Sequence, residues 1–390
     1  MSKEIYSHET LPGGTWFRLL RLSPAPRGAP LVCELVTTQL HEAPSYEAIS
    51  YAWGDPNEKI EIICNNMPFW ITVNLHGALE RLRHGNEPRV LWADGLCIDQ
   101  LNDIEKGHQV GLMVEIYRKS ECTLVWLGPA WDEKGVEITF DLIDKTTHIA
   151  NVEYERRGRP DLGHFITRVS SIAFIQDYLH EKWTDHNMAH LTNLFEKAWF
   201  SRIWVQQEIG ISQQAVAYCG DSKIQMSKLV LIAALSDHLF GVATHIEVGR
   251  LSNALSDFYC SFGNGTLWLR ESTLLEYMAT YFLETHHSRN FEGRICSVLE
   301  CSRHFHASDA RDHIFALLGH PAMKELVEPD YTVSLSDMQL SLAQRMVLKS
   351  STLELLLYVE HDEEDLESSF PSWAPQWHKE VVRDEDWIVW

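Results

Sequence analysis

The sequence predicts an α/β protein with a parallel sheet and a helical insertion, followed by a mainly helical C-terminal region. Short apolar runs of strand length alternate with helical periodicity up to about residue 225. A mostly helical stretch at about 130–197 interrupts that alternation. Beyond it, from about residue 226, helical patterns and loops continue with little strand alternation. We therefore predict two parts, residues 1–225 and residues 226–390.

The composition is that of a globular, strongly acidic protein. Its 390 residues are many for one compact core. The 33 Lys plus Arg against 55 Asp plus Glu give a net charge of −22, which repels phosphate backbones and anionic lipid. Eight cysteines are scattered without a CxxC pair, as in reduced intracellular proteins. No apolar run has the length of a signal peptide or membrane span. We expect a cytoplasmic protein that binds no nucleic acid and has no membrane span.

Six apolar runs predict strands before residue 225. They are residues 15–22, 31–38, 46–56, 90–94, 122–127 and 215–219. The first two flank a loop rich in Pro and Gly, so we expect them to form a strand pair. The third ends in a Gly-Asp-Pro turn and the fourth ends on a carboxylate.

A hairpin and several helices fill the intervals between these runs. Asn65 and Asn66 mark the turn of a predicted hairpin over residues 59–73. Asn74 is a candidate N-cap for the helix that follows. Apolar periodicity predicts another helix over residues 104–119.

Polar and aromatic residues gather where two of the predicted strands end. Trp53, Gly54 and Asp55 follow one strand, and Asp94 and Asp99 follow another. Ligands of open α/β sheets bind at such strand ends. Three of these residues also have a structural interpretation. Trp53 is a candidate core residue, Asp55 a candidate turn residue, and Asp94 a candidate helix or loop cap.

The stretch Ala198–Gly210 predicts an aromatic helix start with one acid in its interior. Trp204 and Glu208 are four residues apart, which places them on one face of a helix. An acid beside an indole is poorly solvated, and desolvation raises a carboxyl pKa or demands a partner. The structural alternatives are a tryptophan in the core and an ordinary amphipathic helix whose glutamate pairs with Arg202 or faces water.

Other chemistries have weaker support. Cys97 lies between two aspartates and could act as a nucleophile with His76 or His108, but a buried inert thiol is the commoner finding. No HExxH pattern occurs, and no GxGxxG, P-loop or GxSxG motif. We therefore predict no metal site and no resident cofactor.

Four ordered blocks between Tyr46 and Asp221 resemble the HET domain of fungal heterokaryon-incompatibility proteins. The blocks are YEAISYAWGDP, LWADGLCIDQ, MVEIYRKSECTLVWLGP and WFSRIWVQQE. The later segments RDHIFALLG, VEPDYTVS and FPSWAPQW are similar to segments that often follow this domain. The chain departs from the family pattern at Gly95, where members often carry Ala, and at Asp99, where many carry Asn.

The HET domain is distantly similar to the TIR domain, so the resemblance implies a flavodoxin-like sheet. In enzymatic TIR domains, a tryptophan followed four residues later by a glutamate marks the acid that acts in cleaving NAD. The matching positions here are Trp204 and Glu208. The resemblance therefore implies that Glu208 is catalytic and that NAD is a substrate, not a cofactor.

The residues around Glu208 can be given roles in that reaction. Trp204 and Trp53 are candidates to stack on nicotinamide or adenine, and Arg202 is a candidate to meet a phosphate. The residues expected to hold substrate hydroxyls or order the loops are Ser50, Asp55 and Asp94.

The resemblance implies an executor of programmed cell death in fungal non-self recognition. We expect it to hydrolyse NAD, to form a homo-oligomer on activation and to respond to an incompatibility partner protein. The alternative is a non-catalytic signalling module, in which the same aromatic surface contacts another copy or a partner.

Overall fold

The computed structural model describes residues 5–240, 291–320, 323, 325–349, 353–360 and 369–379. Its strands are Trp16–Leu22 (β1), Val32–Gln39 (β2), Glu47–Tyr51 (β3), Lys59–Cys64 (β4), Met67–Thr72 (β5), Arg89–Trp92 (β6), Thr123–Trp126 (β7), Ala215–Cys219 (β8) and Ser222–Gln225 (β9). They form one nine-stranded sheet in the order β5-β4-β2-β1-β6-β3-β7-β8-β9.

The centre of this sheet is parallel. Strand β3 pairs in parallel with both β6 and β7, and β7 pairs in parallel with β8. Numbered along the chain, these four strands have the spatial order 2-1-3-4, as in flavodoxin-like sheets. Ligands of such sheets bind outside the carboxyl ends of the strands, where the order reverses beside the first strand. The predicted α/β class with a parallel sheet is confirmed, and the carboxyl end of β3 lies at the reversal.

The outer strands make the sheet mixed. The predicted opening strand pair is confirmed as antiparallel β1 and β2. The predicted hairpin is confirmed as β4 and β5, and Asn65 and Asn66 occupy its turn with φ of 49° and 63°. Positive φ at both central residues is the geometry of a type I′ turn, which asparagine tolerates.

The predicted cap of the first helix is wrong. Helix Val73–Leu82 is capped by Thr72, whose hydroxyl accepts a hydrogen bond from the amide of Leu75. The side chain of Asn74 instead donates to the carbonyl of Ala52 and accepts from Trp126 Nε1 at 2.9 Å. Tertiary contacts with two strand ends therefore take Asn74 away from the capping role.

Helices fill the insertion and the described part of the C-terminal region. Those before the insertion are Val73–Leu82, Asp94–Cys97 and Asp103–Lys119. The helices in the predicted insertion at about 130–197 are Glu133–Arg156, Leu162–Arg168, the 3-10 turn Val169–Ser171, Ala173–Lys182 and Asp185–Phe195. The later helices are Val205–Gly210, Met226–Phe240, Phe291–Ser302, Asp312–Phe315 and Leu335–Lys349, with the 3-10 helix Glu354–Tyr358.

The predicted helix over residues 198–210 begins later than expected. Turns precede it, and the α-helix spans only Val205–Gly210. The chain before it is bonded to a distant segment, because the amide of Ile203 donates to His306 O and the amide of His306 donates to Ser201 O. The amide of Glu208 still donates to Trp204 O at 3.0 Å, so the expected four-residue helical spacing holds.

Two apolar clusters form the core. One contains buried residues of the insertion and of helix Met226–Phe240, together with Val125 of β7, Ala217 of β8 and Ile224 of β9. The other contains residues of β1 to β6 together with buried residues from the C-terminal region, among them Ile295, Leu299, Phe315, Leu342 and Trp377. In the described ranges, no helix is both long and apolar enough to cross a bilayer.

Candidate functional site

Three chain segments meet beside the carboxyl end of β3. Ser50 lies in β3 and Trp53 follows that strand, whereas Asp94 follows β6. Arg202 lies in the turn before helix Val205–Gly210, and Glu208 lies in that helix. Hydrogen bonds and charge interactions link these side chains. The structure thus brings together five of the residues that the sequence predicts for the site.

Glu208 is a buried acid with two partners. Its side chain is 2% exposed. The hydroxyl of Ser50 donates to Oε2, and the guanidinium of Arg202 donates to Oε2 and Oε1 at 3.2 and 3.3 Å. Burial raises the pKa of Glu208 above its usual value, although Arg202 and Ser50 act in the opposite direction. The expectation of a desolvated acid on this helix agrees with this geometry.

Ser50 connects Glu208 to a residue that the sequence analysis missed. Trp199 is buried, and its Nε1 donates to Ser50 Oγ at 2.7 Å. The two residues are 149 positions apart in the chain. An aromatic residue in an apolar stretch indicates core packing, and no local signal marks its hydrogen bond.

Arg202 interacts with two carboxylates, those of Glu208 and Asp94. Its side chain is 15% exposed. Burial acts to lower the pKa of this guanidinium, but the charges of Glu208 and Asp94 outweigh burial and leave the pKa raised. Arg202 is therefore a partly buried cation that interacts with the charges of two acids.

Asp94 and Trp53 form the more exposed end of the site. The indole of Trp53 is 36% exposed, and its Nε1 donates to Asp94 Oδ2 at 2.8 Å. Burial and the charge of Asp94 raise the pKa of Tyr51 well above its usual value. A Cβ added to Gly95 would lie 2.5 Å from the Tyr51 hydroxyl. Glycine at position 95, where HET domains often carry alanine, therefore leaves room for the Tyr51 hydroxyl.

Comparison with known proteins bears on these same residues. The sequence model of the family described as heterokaryon incompatibility protein (HET) matches residues 46–208, from the residue before β3 to Glu208. Residues 46–208 form a HET domain. The suspected HET domain is thereby confirmed for these residues.

A curated relative extends this similarity over most of the chain. It is "Heterokaryon incompatibility protein 6, OR allele" of Neurospora crassa, 26% identical over 413 aligned residues. The alignment covers 95% of this chain but only 58% of that protein, so this chain spans less than two thirds of its relative. No solved structure gives a significant match.

Two predicted residues of the HET domain have their contacts elsewhere. Asp55 is exposed and accepts hydrogen bonds from Asn57, at 2.8 Å from the backbone amide and 2.9 Å from Nδ2. Asp99 lies with His8 and Glu105: its amide donates to Glu105 Oε1 at 2.8 Å, and its Oδ1 is 4.0 Å from His8 Nδ1. Each carboxylate accepts from the backbone amide two residues later, Asn57 for Asp55 and Leu101 for Asp99, and so orders a local turn of the chain.

In the described part of the chain, neither Gly54 nor Trp204 makes a hydrogen bond to the Glu208 carboxylate. Gly54 has a φ of 75°, which favours glycine, and lies against Asn74. The indole of Trp204 donates to Asp312 Oδ2 at 3.1 Å, and Tyr331 donates to Oδ1 of the same buried acid at 2.6 Å. The N–H of Trp204 is thus bonded to the segment RDHIFALLG, whose Asp312 also accepts from Tyr331 of VEPDYTVS.

The C-terminal region also holds the backbone and glutamines around Glu208. Gln206 accepts from the hydroxyl of Ser302 at 3.2 Å, and Gln207 accepts from the amide of Gly319 at 3.0 Å. Together with the bonds of His306, these contacts fix the segment that carries Arg202 and Glu208. The sequence analysis did not predict them, because they join residues about 100 positions apart.

Other candidate chemistries of the HET domain find little support. Cys97 is buried, and burial raises its thiol pKa to about 12, so it is a neutral thiol. Within the described ranges, no three or more His, Cys, Asp or Glu side chains are grouped to hold a metal ion. Cavities of about 470 and 450 Å³ lie along helix Glu133–Arg156 and β9, and none of the predicted site residues lines them.

Proposed function

We propose that this HET-domain protein is a cytoplasmic cell-death effector of heterokaryon incompatibility that hydrolyses NAD through Glu208. The family match and the name of the Neurospora relative support the incompatibility role. The observation that carries the catalytic part is a buried acid of raised pKa at the carboxyl end of β3. In flavodoxin-like sheets this is where ligands bind.

The reaction suits a single carboxylate. Breaking the bond between nicotinamide N1 and ribose C1′ develops positive charge on the sugar, and nicotinamide leaves as a neutral molecule without a proton donor. A fixed carboxylate stabilises such charge most strongly where water is excluded. Water then adds to C1′, and the products are ADP-ribose, nicotinamide and a proton. Glu208 supplies the carboxylate in this scheme.

Substrate binding requires Arg202 to change partners. Glu208 is almost fully buried, and Arg202 donates to both of its oxygens. A pyrophosphate is a strong competing partner for a guanidinium. In our proposal, the NAD pyrophosphate draws Arg202 from Glu208, and the exposed indole of Trp53 stacks on one of the NAD rings.

One observation favours a second function. The described contacts of Glu208 pair both carboxylate oxygens, as in a purely structural ion pair. In that case the HET domain is a signalling module whose exposed aromatic surface around Trp53 binds another copy or an incompatibility partner. Homo-oligomer formation on activation is part of our proposal in both cases.

Nicotinamide release from NAD by the purified chain tests the enzymatic proposal. Wild type is compared with Glu208→Gln over a range of protein concentrations, because assembly is expected to promote activity. Glu153→Gln is the matched control: Glu153 is also a buried acid paired with arginines, Arg156 and Arg157, but lies in the insertion. We expect release by wild type and the control and none by Glu208→Gln. No release by wild type at any concentration would favour the signalling module.

A further inference from the structure

A chain of hydrogen bonds through three buried side chains ends on Glu208. Trp199 Nε1 donates to Ser50 Oγ at 2.7 Å, and the Ser50 hydroxyl donates to Glu208 Oε2. The three residues are each 2% exposed or less. At this burial, bulk water does not compete for the bonds, and each bond is correspondingly stronger.

The chemistry of its members gives this chain one direction. An indole N–H can only donate a hydrogen bond. Ser50 therefore accepts from Trp199, and its single hydroxyl hydrogen points to Glu208. Without the indole, the hydroxyl could rotate or accept from another donor. Trp199 thus orients the hydroxyl hydrogen of Ser50 toward Glu208.

We propose that Trp199 is a positioning residue for Glu208 and acts through Ser50. The proposal rests on the proposed function only in treating Glu208 as the reacting acid. The bond from Ser50 keeps Oε2 in place when Arg202 turns toward a substrate phosphate. Ser50 then acts on the enzyme's own carboxylate and does not hold a substrate hydroxyl, which agrees with its complete burial.

Trp92 provides a matched control for Trp199. It is also fully buried, but its Nε1 has no hydrogen-bond partner among the residues that the structure describes. It packs edge-on against Tyr117 with ring centroids 5.4 Å apart. A Trp→Phe substitution removes an N–H and part of a buried ring at both positions. Only at residue 199 does it also break the bond to Ser50.

The titration of Glu208 tests the proposal without any turnover. The full chain is labelled with carboxyl-13C glutamate, and the Glu208 signal is assigned by its loss in Glu208→Gln. In Trp199→Phe and Ser50→Ala we expect the pKa of Glu208 to rise, because its charged form loses an oriented hydrogen bond. Trp92→Phe is expected to titrate like wild type. A protein that does not hydrolyse NAD would still give this result if the proposal is right.

Kinetics provide the second measurement when NAD is hydrolysed. We expect Trp199→Phe to lower kcat about tenfold with KM changed by less than about twofold, and to move the acidic limb of the pH profile upward. A Glu208 titration unchanged in Trp199→Phe, or shifted equally in Trp92→Phe, would overturn the proposal. If Trp199→Phe does not fold, Ser50→Ala decides in the same way, because it breaks the next bond of the chain.

Discussion

Removing Arg202 should destabilise the protein more than removing Glu208. In Arg202→Gln the carboxylate stays almost fully buried with only the bond from Ser50. Breaking a buried pair in this way typically costs roughly 3–5 kcal/mol, and the remaining bond places the expected cost near the lower end, about 3 kcal/mol. In Glu208→Gln the guanidinium of Arg202 is 15% exposed and still interacts with the charge of Asp94. The Glu208→Gln variant should therefore lose less stability than Arg202→Gln.

Thermal unfolding measures this asymmetry. For 390 residues the unfolding entropy is about 0.8 kcal/mol/K. A loss of about 3 kcal/mol then lowers the Tm of Arg202→Gln by about 4 °C. In Arg202→Gln/Glu208→Gln neither charge of the Arg202–Glu208 pair remains, so the double variant should lose less stability than the sum of the two single variants.

The pH dependence provides a second check on this prediction. Burial raises the pKa of Glu208 above its unfolded value of 4.5. An acid of raised pKa costs folding free energy as the pH rises through the unfolded value toward the folded one. Removing Arg202 raises the folded pKa further, so the Tm deficit of Arg202→Gln should be largest at neutral pH and shrink as the pH falls. A deficit below about 1 °C at pH 7, or one that grows on acidification, would refute this account of the site.

Two further predictions concern contacts outside the Arg202 pair. Trp204→Phe removes one of the two hydrogen bonds to buried Asp312 and should cost about 1–2 kcal/mol in urea unfolding. The loss should be smaller when Asp312→Asn is already present, and an unchanged midpoint would contradict the contact. Arg156 holds the pKa of Glu153 at about 2, so this acid stabilises the fold above pH 4.5 and loses that effect as the pH falls toward about 2. The Tm of Glu153→Gln should therefore lie below wild type at pH 7 and approach it in acid; a gap independent of pH would be the contrary result.

Local sequence signals predicted eight of the nine described strands, all but β9, and the position of the acid. Two adjacent asparagines between apolar runs specify a turn that few residues other than glycine adopt as easily, and β4 and β5 pair around it. Alternation of strands and helices predicted the parallel centre. The spacing of Trp204 and Glu208 is a property of one helical turn, and their backbone bond has that spacing.

The partners of the site residues could not be read from the sequence. Trp199 and Ser50 are 149 positions apart, and Trp204 and Asp312 are 108 apart. Such pairs depend on how distant segments pack, and a single sequence has no periodicity that records them. Asn74 is a related case: its type predicts a cap, but strand ends brought close by the fold offer it other partners. The boundary near residue 225 and the NAD chemistry stay predictions.

Cellular NAD during induced expression tests the central claim most directly. Wild type, Glu208→Gln and Glu153→Gln are expressed at equal levels in a fungal host, and NAD content and viability are followed together. Our account predicts that NAD falls before viability with wild type and Glu153→Gln, and that neither falls with Glu208→Gln. Cell death caused by Glu208→Gln while NAD stays constant would contradict it and identify the HET domain as a non-catalytic signalling module.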